Sequence, residues 1–222
     1  MKSRTTLAAL AAFALAGSAH AATIVWSSSV FLTDNTTPWA MVMGQFNKTG
    51  TKIFAENSGG GAESFDGINF TAPSVGVFDD VYGLFYDSGS PLAATGTYKN
   101  GNAVGTVNLT GLKSGYTYRI QALLFDSRTQ YNGRTVLFDG INQGVYANGV
   151  ADDRGDGLLV TGTFVADATE TQSFTVHARE PGGVLLAGGQ LNALTLYQTA
   201  IPEPSAALLG GLGLLALLRR RR

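Results

Sequence analysis

The sequence contains no cysteine, little charge and little histidine. The absence of cysteine excludes disulfide bonds, thiolate nucleophiles and cysteine-ligated metals. Only 14% of the 222 residues are charged, and two are histidines, His20 and His177. Because the chain also lacks a Gly-x-Ser-x-Gly motif, a serine–histidine triad is not expected. His177 is predicted to be a solvated residue of a strand.

Helical periods are also scarce, whereas glycine is abundant at 29 residues. Thr, Val, Phe and Tyr fill short segments between the glycines, and their alternation with polar residues predicts strands and turns. About ten strands without helices to cover a parallel sheet predict an all-β fold, an antiparallel β-sandwich that is jelly-roll-like. The predicted strands are residues 23–27, 40–46, 68–71, 74–78, 105–109, 116–125, 134–138, 158–165, 172–177 and 191–197.

Local patterns add detail to this prediction. Residues 81–86 are expected to form a short helical turn, and turns at 139–140 and 142–144 are expected to follow the strand at 134–138. In the strand at 116–125, Arg119 and Gln121 are predicted to face away from the apolar side chains. Those apolar side chains are Tyr116, Tyr118, Ile120, Ala122 and Leu124.

One spacing resembles a known corner of β-sandwiches. In that corner, a tyrosine hydroxyl hydrogen-bonds back to the chain and ties two sheets together. The residues with this spacing are Leu109, Leu112, Gly115 and Tyr118.

The C-terminal tail has three parts in order. Pro202, Glu203 and Pro204 form an extended segment, because each proline fixes φ and restricts its predecessor. As a helix, the apolar run at 205–218 would be roughly 21 Å long, which is short for a bilayer core of about 30 Å. Terminal arginines can snorkel to the interface, and they predict that the tail ends in the cytoplasm. They are Arg219, Arg220, Arg221 and Arg222.

This tail resembles the PEP-CTERM sorting signal of exosortase substrates in Gram-negative bacteria. The Pro-Glu-Pro motif, the apolar helix with Gly210, Gly211 and Gly213, and the arginine cluster are all present. The resemblance implies that an exosortase binds the tail and cleaves near the motif. It also implies an inner-membrane intermediate held by a single transmembrane helix, followed by delivery to the cell surface or extracellular matrix. A permanent single-span anchor is the alternative.

The N-terminus is predicted to be a signal peptide. Lys2 and Arg4 precede an apolar segment, and Ala19 and Ala21 form an Ala-x-Ala cleavage site for signal peptidase. The sequence therefore divides into a signal peptide at residues 1–21, a β-sandwich domain at residues 22–198 and a sorting signal at residues 199–222. The mature, exported chain is expected to begin at Ala22.

The central domain is acidic, although the whole chain carries a formal charge of only −1. The terminal segments hold six of the 15 basic residues and one of the 16 acidic residues, so residues 22–198 keep nine basic and fifteen acidic side chains. The resulting net charge of about −6 makes nucleic acid and anionic lipid poor candidate partners.

Much of the central domain is similar to domains found in PEP-CTERM proteins of Verrucomicrobia-like bacteria. The similarity rests on residues 109–121, 126–128, 133–135, 160–164 and 191–194. Those domains look like jelly rolls related in shape to carbohydrate-binding modules, and their function is generally unassigned. The resemblance therefore implies the fold and the export route, and it does not identify a ligand.

Three loop aromatics are candidate carbohydrate-binding residues. Exposed aromatic rings stack on sugars, and neighbouring Asn, Asp, Gln and Arg side chains bind the hydroxyls. Trp39, Tyr131 and Tyr146 have such surroundings, although local packing is the alternative for each. Trp26 lies in an apolar segment and is expected in the core.

One acidic loop is a candidate calcium site. Asp152, Asp153 and Asp156 lie among glycines, and Ca²⁺ prefers such carboxylate oxygens. Arg154 departs from the EF-hand pattern, and a plain polar turn is the alternative, because Asp and Gly favour turns.

Catalytic carboxylates are not expected. Glu63 and Asp66 are predicted to lie in a glycine-rich loop at 57–67, and no Glu-x-Asp-x-Glu pattern places an acid and a base on one strand face. The sequence therefore predicts a non-enzymatic exported protein associated with extracellular polysaccharide, with no cofactor other than a candidate calcium ion. A carbohydrate-binding module is the alternative, and a polysaccharide-acting hydrolase or lyase is a second alternative.

Overall fold

The computed structural model describes residues 22–27, 29–32, 44–75, 78–83, 92, 95–101, 103–125, 133–145, 157–180, 185–186 and 188–200. All sixteen secondary-structure elements in these ranges are β-strands. They are β1 (Val25–Trp26), β2 (Val30–Leu32), β3 (Thr51–Asn57), β4 (Glu63–Phe65), β5 (Ile68–Phe70), β6 (Asp80–Gly83), β7 (Thr95–Tyr98), β8 (Gly105–Leu109), β9 (Thr117–Phe125), β10 (Thr135–Phe138), β11 (Ile141–Val145), β12 (Gly157–Val165), β13 (Gln172–Arg179), β14 (Leu185–Leu186), β15 (Gln190–Leu191) and β16 (Ala193–Ala200).

Residues 1–21 and 201–222 lie outside these ranges, so the signal peptide and the sorting helix remain predictions, whereas residues 199 and 200 of the predicted sorting signal form the end of β16. Across the part of the chain that the structure describes, no helix is long and apolar enough to span a bilayer.

Two large sheets contain most of the strands. In the first sheet, β12, β9, β16 and β3 lie side by side, and β1 and β2 both pair with the other edge of β12. In the second sheet, β11, β10 and β13 lie side by side, and β8 and β14 share the other edge of β13. Strands β15, β7 and β6 form a third sheet, and β4 and β5 form a hairpin. All of these pairings are antiparallel, as predicted.

The chain passes repeatedly between the two large sheets. Strand β3 lies in the first sheet, β8 in the second and β9 in the first again. The hairpin β10–β11 belongs to the second sheet, and β12, β13 and β16 continue the alternation. Apart from the β10–β11 hairpin and the pair β13 and β14, neighbouring strands in the two large sheets are far apart in sequence.

The two large sheets pack face to face over one apolar core. Strand β9 supplies every second side chain, which confirms its predicted alternation and the predicted sandwich. The side chains from β9 are Tyr118, Ile120, Ala122 and Leu124, with Tyr116 packed beside them. The opposing side chains are Val107 and Leu109 of β8, Val136 and Phe138 of β10, and Phe174 and Val176 of β13.

The predicted tyrosine corner is present. Tyr118 is 1% exposed, and its hydroxyl accepts a hydrogen bond from the backbone N–H of Lys113 at 2.8 Å. Leu109 and Leu112 are buried in the same core, and Gly115 turns the chain with a φ of +79°. The corner therefore fixes the connection between β8 of the second sheet and β9 of the first.

The first sheet is also covered on its outer face. A second buried cluster joins β9, β12 and β16 to the β4–β5 hairpin, whose two-residue turn is Asp66-Gly67, with φ values of +49° and +72°. Lys48 forms an ion pair with Asp66 at 3.1 Å and holds the hairpin to the preceding segment. The cluster includes Phe46, Phe65, Ile68, Phe70, Leu123, Phe125, Leu159 and Ala193.

Three predicted local structures are wrong within the described residues. Residues 80–83 form strand β6, paired with β7, where a helical turn was predicted at 81–86. Residues 44–46 form a turn rather than the end of a strand, because Gly44 adopts a φ of +74°. Of the strand predicted at 74–78, residues 74 and 75 are not extended, because the carboxylate of Glu56 accepts hydrogen bonds from the N–H groups of Ser74 and Val75.

The turn predicted at 142–144 is also wrong. Asp139-Gly140 already makes the hairpin turn, with φ values of +49° and +78°, and residues 142–144 lie within β11. The pairing register shifts between Val136 and Leu137, which indicates a β-bulge in the opposing strand. Gly144 takes a φ of +142° beside this bulge, so its glycine is explained by the irregular strand and not by a turn.

Candidate functional site

The buried faces of the sandwich leave two surfaces for a ligand. The first sheet is covered on its inner face and over much of its outer face, whereas the outer face of the second sheet exposes cross-strand pairs of polar side chains. A depression of about 290 Å³ on that face contains no aromatic ring among the residues described; its lining is Asn108, Leu109, Thr110, Thr171, Gln172 and Ser173. The side of the sandwich offers a larger opening.

A groove of about 400 Å³ lies between the edge strands of the two large sheets. We call it the lateral groove. One wall is formed by β1, β2 and the residues between them, and the other by β11. Its lining residues are Trp26, Ser27, Ser29, Phe31, Ile141, Asn142, Gln143 and Gly144.

Trp26 is held in one orientation by contacts from both sheets. Its indole Nε1 donates a hydrogen bond to Asp139 Oδ2 at 3.0 Å, and the ring packs against Phe138 and Phe174 at centroid distances of 4.8 and 5.3 Å. The residue paired with Trp26 is Gly162, where a Cβ atom would lie 2.7 Å from the indole ring. Glycine at that position therefore allows the indole to lie against the backbone of β12.

Phe31 and Gly144 meet at the opposite end of the groove. Phe31 is 50% exposed, and a Cβ atom on Gly144 would lie 3.1 Å from its ring. The hydroxyl of Ser29 donates a hydrogen bond to the backbone carbonyl of Gln143, which joins the two walls. A larger residue at position 144 would crowd this end of the groove.

The described lining of the groove presents amide and hydroxyl groups. Among these eight residues, no side chain is ionisable. Asn142 accepts a hydrogen bond from the Gly144 N–H at 2.8 Å, and its Nδ2 group donates to no residue that the structure describes. Such a surface combines aromatic rings with hydrogen-bonding groups, which suits an uncharged polar ligand.

Two ionisable groups whose pKa values are shifted by burial, Arg119 and Tyr197, lie outside the groove. Burial lowers the pKa of Arg119, whose guanidinium donates to the carbonyls of Asn47 and Thr49 at 2.7 Å each. Burial also raises the pKa of Tyr197, whose ring lies 5.7 Å from that guanidinium. The guanidinium of Arg119 therefore holds the segment around residues 47–49 through two backbone carbonyls, and its buried Nε makes no hydrogen bond within the described residues.

His177 lies in β13, as predicted, but it is half-buried rather than fully solvated. Burial lowers its pKa, and the nearby positive charge of Arg179 lowers it further. The other predicted carboxylates are also structural within the described residues. Glu63 begins β4, which interrupts the loop predicted at 57–67, and Asp66 binds Lys48.

The remaining predicted site residues lie outside the residues that the structure describes. They are the aromatics Trp39, Tyr131 and Tyr146, the acidic residues Asp152, Asp153 and Asp156, the cleavage-site residues Ala19 and Ala21, and the sorting residues Pro202, Glu203, Pro204, Arg219, Arg220, Arg221 and Arg222. In the described ranges alone, no group of three His, Cys, Asp or Glu side chains could hold a metal ion. The calcium site therefore stays a prediction.

The sequence reasoning missed the lateral groove. Trp26 was expected in the core, and it does pack there, but it also lines the groove. Phe31 and Asn142 were not singled out because they are 111 positions apart in the chain and only strand pairing brings them together. An aromatic residue near the middle of an apolar segment gives no local sign that it lies on an edge strand.

No known protein family and no curated protein matches the sequence. Among solved structures, the chain is similar to the ANX2 ectodomain from Arabidopsis thaliana, at 12% identity and a TM-score of 0.45 over 72% of this chain and 55% of that chain. It is also similar to the ANXUR1 extracellular domain from Arabidopsis thaliana, at 14% identity and a TM-score of 0.43 over 68% of this chain and 49% of that chain. The chain thus spans about half the length of these plant structures.

Proposed function

We propose that the chain is an exported, non-enzymatic protein of the cell surface or extracellular matrix, sorted and cleaved by an exosortase. This proposal rests on the sequence of the tail, in which Pro202-Glu203-Pro204, the apolar run at 205–218 and the arginine cluster follow one another. The Ala-x-Ala site at Ala19 and Ala21 supports the same route, because signal peptidase acts on exported chains. Exosortase, signal peptidase and, transiently, the inner membrane are its proposed partners.

We further infer that the domain at 22–198 is a jelly roll. Strands β3, β16, β9 and β12 stand in that order in one sheet, and β8, β13, β10 and β11 stand in order in the other. The chain alternates between these sheets in the way that two Greek keys require. A sandwich of this kind is a stable scaffold for a binding site on its surface, so one domain is sufficient for an exported binding protein.

Mass spectrometry of the protein from an exosortase-containing host tests the sorting proposal. The mature protein is expected to begin at Ala22, to end near Pro204 and to fractionate with the outer surface. A Glu203→Ala variant should stay in the inner membrane with its C-terminus intact, whereas Glu180→Ala, a matched carboxylate in the domain, should be processed normally. Mature surface protein that still carries Arg222 would contradict the cleavage.

Carbohydrate binding is the second candidate function. The lateral groove favours it, because two aromatic rings and several amide and hydroxyl groups line one opening. A polysaccharide-acting hydrolase or lyase has less support, because the described lining of this groove contains no carboxylate, lysine, arginine or tyrosine. Co-sedimentation of the full chain with the exopolysaccharide of its host tests the carbohydrate candidate independently of the tail.

A further inference from the structure

We propose that the lateral groove is the glycan-binding site of this protein and that it takes a neutral pyranose unit. The proposal rests on the carbohydrate candidate above and assigns it a place that differs from the loop aromatics expected from the sequence. Trp26 and Phe31 supply the apolar surface, and Asn142 supplies a side-chain amide between the two walls. Alternating apolar faces and hydroxyl groups of a pyranose match this arrangement.

The size of the groove limits the ligand. Ligand pockets commonly enclose about 300–1,000 Å³, and the lateral groove lies near the lower end at about 400 Å³. That volume leaves room for roughly one or two sugar rings. The groove lies between two edge strands on the side of the sandwich, so a sugar ring enters it from that side.

The aromatic surface is organised before a ligand arrives. The hydrogen bond from Trp26 to Asp139 fixes the indole, and Asp139 is itself held by the N–H and hydroxyl of Thr175 at 2.8 and 3.2 Å. Gly162 keeps the space behind the ring open. A fixed ring loses little conformational entropy on binding, which favours affinity.

Charge selects against acidic sugars. A uronate or sulfated sugar needs a cation beside it, and none of the lining residues that the structure describes is basic. The nearest carboxylate in the contacts described is Asp139, which would repel an anion. The net charge of about −6 on residues 22–198 acts in the same direction. The groove therefore fits a neutral hexopyranose better than a polyuronate.

The two tryptophans of the chain make a direct test possible. The full chain carrying Trp39→Phe keeps Trp26 as its only tryptophan, so its fluorescence reports on the groove alone. The chain is first screened on an array of neutral and uronate-containing glycans, and the strongest neutral binder is then titrated. We expect that ligand to change the Trp26 emission and the strongest uronate-containing glycan to bind at least tenfold more weakly.

Groove variants sharpen the test. Phe31→Ala and Asn142→Ala should each weaken binding of the neutral glycan about tenfold or more, which corresponds to about 1.4 kcal/mol. Both residues are exposed, so the variants should keep the fold of the parent chain. The control is Ile53→Ala, because Ile53 is 41% exposed on β3, at the far edge of the first sheet, and its loss should leave affinity unchanged.

Each other outcome overturns the inference. Binding that leaves Trp26 emission and the Phe31→Ala affinity unchanged would place the glycan elsewhere and leave the carbohydrate candidate standing. Binding of no neutral glycan on the array would reject both, while the processing of the tail would still test the sorting proposal. Preferential binding of uronates at the groove would reject the neutral class. Self-association that Phe31→Ala abolishes, without glycan binding, would assign the groove to a second copy of the chain.

Discussion

Strands β9 and β13 each lie between two partners in their sheets, and both alternate apolar with polar side chains, β13 throughout and β9 from Tyr118 to Ala122, yet they meet different surroundings. From Tyr118 to Phe125, every residue of β9 is buried. In β13, Ser173, Thr175, His177 and Arg179 are at least partly exposed on the outer face. The same sequence period therefore accompanies a strand covered on both faces and a strand covered on one.

The difference comes from what lies over the outer face of the first sheet. Arg119 is 9% exposed and donates to carbonyls of the segment around residue 47, and Gln121 accepts a hydrogen bond from the Asn47 N–H at 2.8 Å. Further along β9, Leu123 and Phe125 pack under the β4–β5 hairpin. Polar residues at alternating positions of a strand can therefore lie under a second packed layer, provided that backbone groups of another segment form hydrogen bonds with them.

Truncation of the second cluster should have the largest effect. Phe125→Ala removes a ring buried between β9 and the β4–β5 hairpin and is expected to lower the free energy of unfolding by about 3–5 kcal/mol. On the strand that faces solvent, Ser173→Ala should change it by less than about 0.5 kcal/mol. Urea unfolding of both variants measures the difference. A loss below about 1 kcal/mol for Phe125→Ala would mean that the outer face is not packed as a core.

Paired arginine substitutions sharpen the comparison for polar side chains. Arg119→Lys shortens the side chain that reaches the carbonyls of Asn47 and Thr49, so it should lower the free energy of unfolding by about 2 kcal/mol. Arg179→Lys, on the exposed end of β13, should stay within about 0.5 kcal/mol of the parent chain. Equal effects in urea unfolding would show that burial does not separate the two sites.

The smallest expected effect concerns the half-buried histidine of β13. The folded-state pKa of His177 lies below its ordinary value of 6.5, so the unfolded chain binds more protons between these two values. The parent chain should therefore lose stability relative to His177→Gln as the pH falls below about 6.5, and keep a constant difference above about pH 7. Thermal unfolding of both proteins at several pH values measures this. Relative stabilisation of the parent on acidification would indicate a raised pKa instead.

Much of the sandwich was predictable because its strands carry their signals locally. Strand β8 matches its predicted bounds, β9 shows the predicted alternation, and Tyr118 forms the predicted corner. Strand β3 was not predicted because its polar residues interrupt the apolar pattern of a buried strand. Glu56 and Asn57 are buried there, with the carboxylate held by backbone N–H groups of residues 74 and 75. Local patterns do not reveal a polar residue that a distant segment satisfies.

The lateral groove was not predictable for a related reason. Strand β1 lies beside β12 because Trp26 pairs with Gly162, and the two positions are 136 residues apart. Strand β11 reaches the opposite wall through a hairpin whose bulge places Gly144 near Phe31. The groove thus depends on pairing registers and on one irregular strand, and neither leaves a pattern within a short window of sequence.

The position of β16 has a mechanical consequence. This strand lies between β9 and β3 and ends at Ala200, the point from which the chain continues toward the proposed sorting tail. A pull transmitted through Ala200 along the strand acts perpendicular to its backbone hydrogen bonds, because antiparallel bonds lie across the strand direction. These bonds must then shear together on both sides instead of opening one after another. While the uncleaved tail holds the domain at the membrane, a load on this end would therefore be shared by β9 and β3, the two strands that flank β16.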